Sequence, residues 1–196
     1  MSLQNLMEGY QPGDPPKVQR SGESYQQTYT YLRDNIERLV NRYRAHDRHD
    51  QTGRLIRDDI ENALRRYHEY CIEQNLGAHY RQRGLARGED VDFEHVIPAK
   101  VVRDALISGR MTVDQAFNVP TCDLGHAKHK ELASRGMAKP TPCPFWFWRR
   151  YQGLGVEIET RQGDLIDLET WNLDRHYEYF GDSLDSNRLV PTNLAS

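Results

Sequence analysis

Cysteine is scarce in this chain of 196 residues: Cys71, Cys122 and Cys143 are an odd number, widely spaced, with no C-x-x-C pair. A disulfide framework and the usual paired-cysteine metal ribbon are therefore not expected, and the thiols suit a reducing, cytoplasmic setting. Long hydrophobic runs are lacking too. No stretch approaches the roughly 18 consecutive apolar residues that cross a bilayer, and Met1 to Gln11 carries no basic-then-apolar signal pattern. Neither a membrane partner nor classical secretion is expected. Nor does one sign of charge dominate: 26 Lys and Arg stand against 29 Asp and Glu, a net charge of −3. That is short of the basic excess that would by itself demand a nucleic-acid partner.

What is present is a globular composition, 37% hydrophobic and 28% charged, in a chain long enough for one domain with a buried interior. Charge is uneven along it. Residues 151–196 hold three basic and nine acidic side chains, a balance of 3 − 9 = −6, so residues 1–150 sum to +3. A mildly cationic body with an anionic end is compatible with DNA.

Residues 1–24, with Pro12, Gly13, Pro15, Pro16 and Gly22, cannot sustain a helix and read as a flexible leader. Residues 25–80 read as a helical hairpin. Leu32, Ile36, Leu39, Val40 and Tyr43 form one stripe, Ile56, Ile60, Ala63, Leu64, Tyr67 and Cys71 a second, with His46 to Gly53 as the turn. Most arginines on these helices read as solvated i,i+4 partners of Asp and Glu. Arg81, Arg83 and Arg87 sit in a Gly-containing run with few acids and are the preferred contacts to backbone phosphates, with Lys128 and Lys130 further on. Residues 141–196 read as an extension packed on the same domain. Its aromatic run Phe145-Trp146-Phe147-Trp148 suits an extended segment sealing the core better than a base-stacking platform, and Val156 to Leu168 suits a β-hairpin.

The chemistry concentrates in residues 81–140. Val91-Asp92-Phe93-Glu94-His95-Val96-Ile97-Pro98 is a short β-type run with an acid immediately before a histidine, and Asn118 to Lys130 ends as a helix with Thr121 or Asp123 as its N-cap. Thr112 to Gln115 has a capping-box pattern. The implied order is strand, connection, strand, helix. Neighbours on a strand point to opposite sides, so Glu94 and His95 cannot both ligate one ion without a bend, yet they can flank a reaction centre. Glu94 would hold a hard divalent cation while His95 takes a proton from water. His126 and His129 share a helical face and could complete the ligands. Such a partly open ion suits phosphodiester hydrolysis.

These residues resemble the HNH, or ββα-metal, endonucleases. Glu94-His95-Val96-Ile97-Pro98 looks like the family's acid-His element, Asn118 like its Asn and His126 like its final His, over residues 91–136. The resemblance implies an α+β fold with a ββα-metal core between an N-terminal helical hairpin and a C-terminal β-containing extension. It implies His95 as general base, Glu94 and His126 as metal ligands, and Asn118 as the group that orients the His95 ring or stabilises the connecting loop. Two departures leave alternatives open. Glu stands where Asp is commoner, so the ligand could be Asp92, and His129 competes with His126. The expected activity is metal-dependent hydrolysis of DNA, restriction-type or phage-type, with Mg²⁺ or Mn²⁺ ahead of Zn²⁺. Double-stranded DNA comes before branched or single-stranded substrates, and a homodimer would suit cutting two strands. The competing reading is a non-catalytic nucleic-acid-binding or regulatory protein with a structural zinc on Cys122, His126, His129 and Cys143.

Overall fold

The computed structural model describes residues 23–46, 50–73, 78–86, 88–137 and 143–180. Residues 1–22 of the expected leader, Asp47 to His49 of the expected turn, Arg87 and the last 16 residues, with part of the acidic segment, lie outside them, whereas Glu23 and Ser24, expected in the leader, open the first helix. The architecture is mixed α and β, with six helices and a four-stranded sheet among the described residues.

Helices α1 (Glu23–Ala45) and α2 (Gln51–Glu73) are the two predicted from their stripes. Leu32, Ile36, Val40 and Tyr43 of α1 are buried together with Ile56, Ile60, Leu64 and Tyr67 of α2. The chain then enters β1 (Tyr80–Gln82) and β2 (Val91–His95). After Pro98 come α3 (Ala99–Ile107) and the short α4 (Val113–Phe117), the latter opened by the predicted capping box between Thr112 and Gln115. Next are β3 (Thr121–Gly125) and, without a break, α5 (His126–Ser134). A 3₁₀ turn at Phe147–Tyr151, β4 (Ile158–Thr160) and α6 (Leu173–Phe180) complete the described chain. No described helix is long and apolar enough to cross a membrane.

The sheet runs β2-β3-β1-β4. β2 and β3 are antiparallel and pair residue for residue, from Val91 with Gly125 to His95 with Thr121. β3 lies parallel to β1, which pairs antiparallel with β4. Here two expectations are corrected. Thr121 and Asp123 cap no helix: pairing with β2 holds Thr121–Gly125 extended, and α5 starts only at His126, with no side-chain cap. The aromatic run is not extended either. Phe147 and Trp148 enter the 3₁₀ turn and are completely buried. The C-terminal hairpin forms in part: Gly163 turns the chain at positive φ, Glu159 bridges Leu165, and Ile158 accepts from the Ile166 amide. One core runs from Leu32 through Tyr80, Leu124 and Trp148 to Tyr177, so the helical pair, the sheet and the C-terminal segment share an interior.

Candidate functional site

Alternation along β2 and its register with β3 divide the functional side chains between two faces. Asp92 and Glu94 sit opposite Leu124 and Cys122 on one face, Phe93 and His95 opposite Asp123 and Thr121 on the other. Because β3 leads straight into α5, the first helical turn brings His126 and His129 over the Asp92/Glu94 face. His126 Nδ1 lies 2.7 Å from Asp92 Oδ2. His129 bridges both carboxylates, with Nδ1 3.0 Å from Asp92 Oδ2 and Nε2 3.0 Å from Glu94 Oε2. Of the alternatives the sequence leaves open, the structure thus brings all four together, and His129 is the one joined to both acids.

Glu94 is buried, and its other oxygen accepts from the guanidinium of Arg150 at 2.7 Å. Arg150 is itself completely buried and also donates to the carbonyl oxygens of His95 and Val96. Burial pushes the Glu94 carboxyl up from its ordinary range, against the opposing pull of Arg150 and His129. Arg150 was not singled out from the sequence. It lies 56 positions from Glu94, and no local spacing signals the pair. Removing one partner of a buried ion pair strands the other charge, so Arg150→Met is expected to destabilise the fold by about 3–5 kcal/mol in urea unfolding.

The donor chemistry fits a divalent ion: two carboxylates and two imidazoles suit Mn²⁺ or Zn²⁺, and the carboxylates suit Mg²⁺. Ligands about 2.1 Å from an ion lie roughly 3 Å from one another, the spacing of the His126 and His129 contacts to Asp92; Glu94 meets the opposite nitrogen of His129, so the side chains as they stand do not surround one ion. Among the described residues no group of three or more His, Cys, Asp or Glu side chains stands in metal-holding geometry. The side chains meet in direct contacts instead, His126 and His129 at Asp92 and His129 again at Glu94.

His95 is placed otherwise than expected. Its ring does not face the later imidazoles across a centre; it lies on the opposite face of β2, with Nε2 2.8 Å from Nδ1 of His68 on α2. Strand alternation enforces this, since β2 has no bulge in its register with β3. Burial, then Arg65 and Arg150, lowers its pKa to about 4, so the imidazole is neutral near pH 7. β2 is one edge strand of the sheet. Asn118 follows α4, and its side-chain amide donates back to the Asp114 carbonyl of that helix.

The expected phosphate contacts separate. Arg81 is on a strand, not in a loop, and its guanidinium is taken by buried Glu159. Arg83 is half exposed, 3.7 Å from Glu157 and 3.9 Å from Glu159. Both acids come from β4 and the residue before it, too far along the chain for the sequence run to betray them. Lys128 is held by Glu131 and the Leu154 carbonyl, whereas Lys130 on the same helix is exposed. For the zinc alternative, Cys122 Sγ donates to the Asp123 carbonyl and the imidazoles turn to the carboxylates instead. No family model, no curated protein and no solved structure matches this chain.

Proposed function

We propose that the chain is a metal-dependent endonuclease that hydrolyses phosphodiester bonds in DNA, built on a ββα-metal core of β2, β3 and α5. One observation carries the reading: His126 and His129 lie 2.7 and 3.0 Å from the Asp92 carboxylate, and His129 also lies 3.0 Å from Glu94, where β3 runs into α5. A divalent ion held there supplies positive charge to a phosphate oxygen and to the departing 3′ oxygen. Asp92 and Glu94 would offer it anionic oxygens and His126 and His129 one ring nitrogen each, and Arg150 holds Glu94 in place. From the other side of the edge strand, neutral His95 takes the proton of the attacking water.

The test is supercoiled plasmid incubated with the protein and Mg²⁺, Mn²⁺ or Zn²⁺, beside a chelator control. Nicked and linear product that needs the ion is expected. Plasmid retained but intact under every ion would favour the non-catalytic binder.

DNA docking makes a separate prediction. Lys130→Ala is expected to lower duplex affinity and reduce the slope of log affinity against log salt by about 1. Lys128→Ala should change it little, because its ammonium is already satisfied within the protein. Fluorescence anisotropy across a salt series measures both.

A further inference from the structure

His68 lies outside the segment that carries the nuclease resemblance, on the core-facing side of α2, and is only 4% exposed. Its two ring nitrogens have different partners. Nε2 is 3.3 Å from the carbonyl oxygen of Phe117, and Nδ1 is 2.8 Å from Nε2 of His95. A carbonyl oxygen can only accept, so the proton of a neutral His68 sits on Nε2 and its Nδ1 keeps a lone pair. That lone pair must accept, so His95 carries its own proton on Nε2 and donates it to His68. The nitrogen of His95 left with a free electron pair is then Nδ1.

The surroundings fix both rings as well as their protons. His68 and His95 meet edge to face, centroids 4.6 Å apart at 74°, and Phe93 stands at 86° to His95, 5.6 Å away. The anchoring carbonyl belongs to Phe117, whose ring is stacked on Tyr67 at 3.8 Å, one residue before His68 on α2. The helical pair thereby reaches the edge strand through a chain of fixed groups: Phe117 carbonyl, His68, His95.

We propose that His68 is the positioning residue of His95, holding its ring and tautomer so that Nδ1 is the atom that receives the proton from water. His68 thus does what the sequence offered as one role for Asn118. This inference rests on the hydrolytic reading above for its purpose, but its geometry is measurable without turnover.

The experiment has two arms. In the ¹⁵N-labelled, metal-free full chain, a scalar coupling across the N–H···N bond is expected between protonated His95 Nε2 and unprotonated His68 Nδ1. No coupling, or the proton found on His68 Nδ1, overturns the assignment. In the second arm, His68→Phe keeps a ring without an acceptor, while His68→Asn puts an acceptor oxygen where Nδ1 stood. The Phe variant is expected to lose roughly a hundredfold in kcat with KM nearly unchanged, and the Asn variant to recover most of it. Equal loss in the two variants overturns the proposal, and so does full activity in the Phe variant. If the Phe variant does not fold, the coupling and the activity of the Asn variant still decide. A wild-type protein that shows the coupling but cleaves no DNA defeats the hydrolytic reading and His68's role with it. One that cleaves without the coupling defeats only the role of His68.

Discussion

His95→Ala is expected to lower the single-turnover rate of duplex cleavage by about 10³-fold while leaving Mn²⁺ affinity close to that of the wild type. A positioned general base contributes roughly 10²–10⁴ in rate, and in the proposed function the imidazole of His95 is that base. Metal affinity should survive because the ring points away from Asp92 and Glu94 and is bonded to His68. A matching loss of Mn²⁺ binding would mean that His95 is a ligand and that the division of labour between the two faces is wrong.

The second large effect concerns the cluster itself. A ligand that binds only the folded state stabilises it by about 2.7 kcal/mol at a concentration a hundred times its dissociation constant, which is about 5–10 °C in melting temperature for a chain of this size. Wild-type protein should show that rise with Mn²⁺. The Asp92→Ala/His129→Ala double variant should show almost none, since His129 is the side chain that joins the two carboxylates and Asp92 the one that joins the two imidazoles. Melting curves over a Mn²⁺ series check it, and an unchanged shift in the variant would place the ion elsewhere.

How far the sequence could be read follows from the range of each signal. The stripes of α1 and α2 and the Thr112–Gln115 box are set by spacing within a few turns, and they appear as expected. Local capping signals misled at Thr121 and Asp123, because the competing force is a pairing with β2 some thirty positions earlier. The candidate site was legible as a set of residue types: Glu94, His126 and His129 do converge, with Asp92 beside them. What could not be read was three-dimensional. The face on which His95 ends up depends on register, and its partner His68 comes from a helix 27 positions upstream with no motif of its own. Arg81 looked like a free cation because Glu159, which neutralises it, is 78 positions away. Helix α6 was not foreseen. Its His176 packs inside, donating to the Asn118 carbonyl and accepting from Tyr80, so the chain's later residues tie the end of α4 to the start of β1.

The central claim is that one phosphodiester is gripped from both faces of β2. Its most direct test is a crystal of the His95→Ala protein with Mn²⁺ and a duplex oligonucleotide, read by anomalous diffraction. The account predicts a manganese peak among Asp92, Glu94, His126 and His129, with a phosphate lying along the β2 edge next to the space vacated by the ring. A peak elsewhere, or DNA docked away from β2, would contradict it.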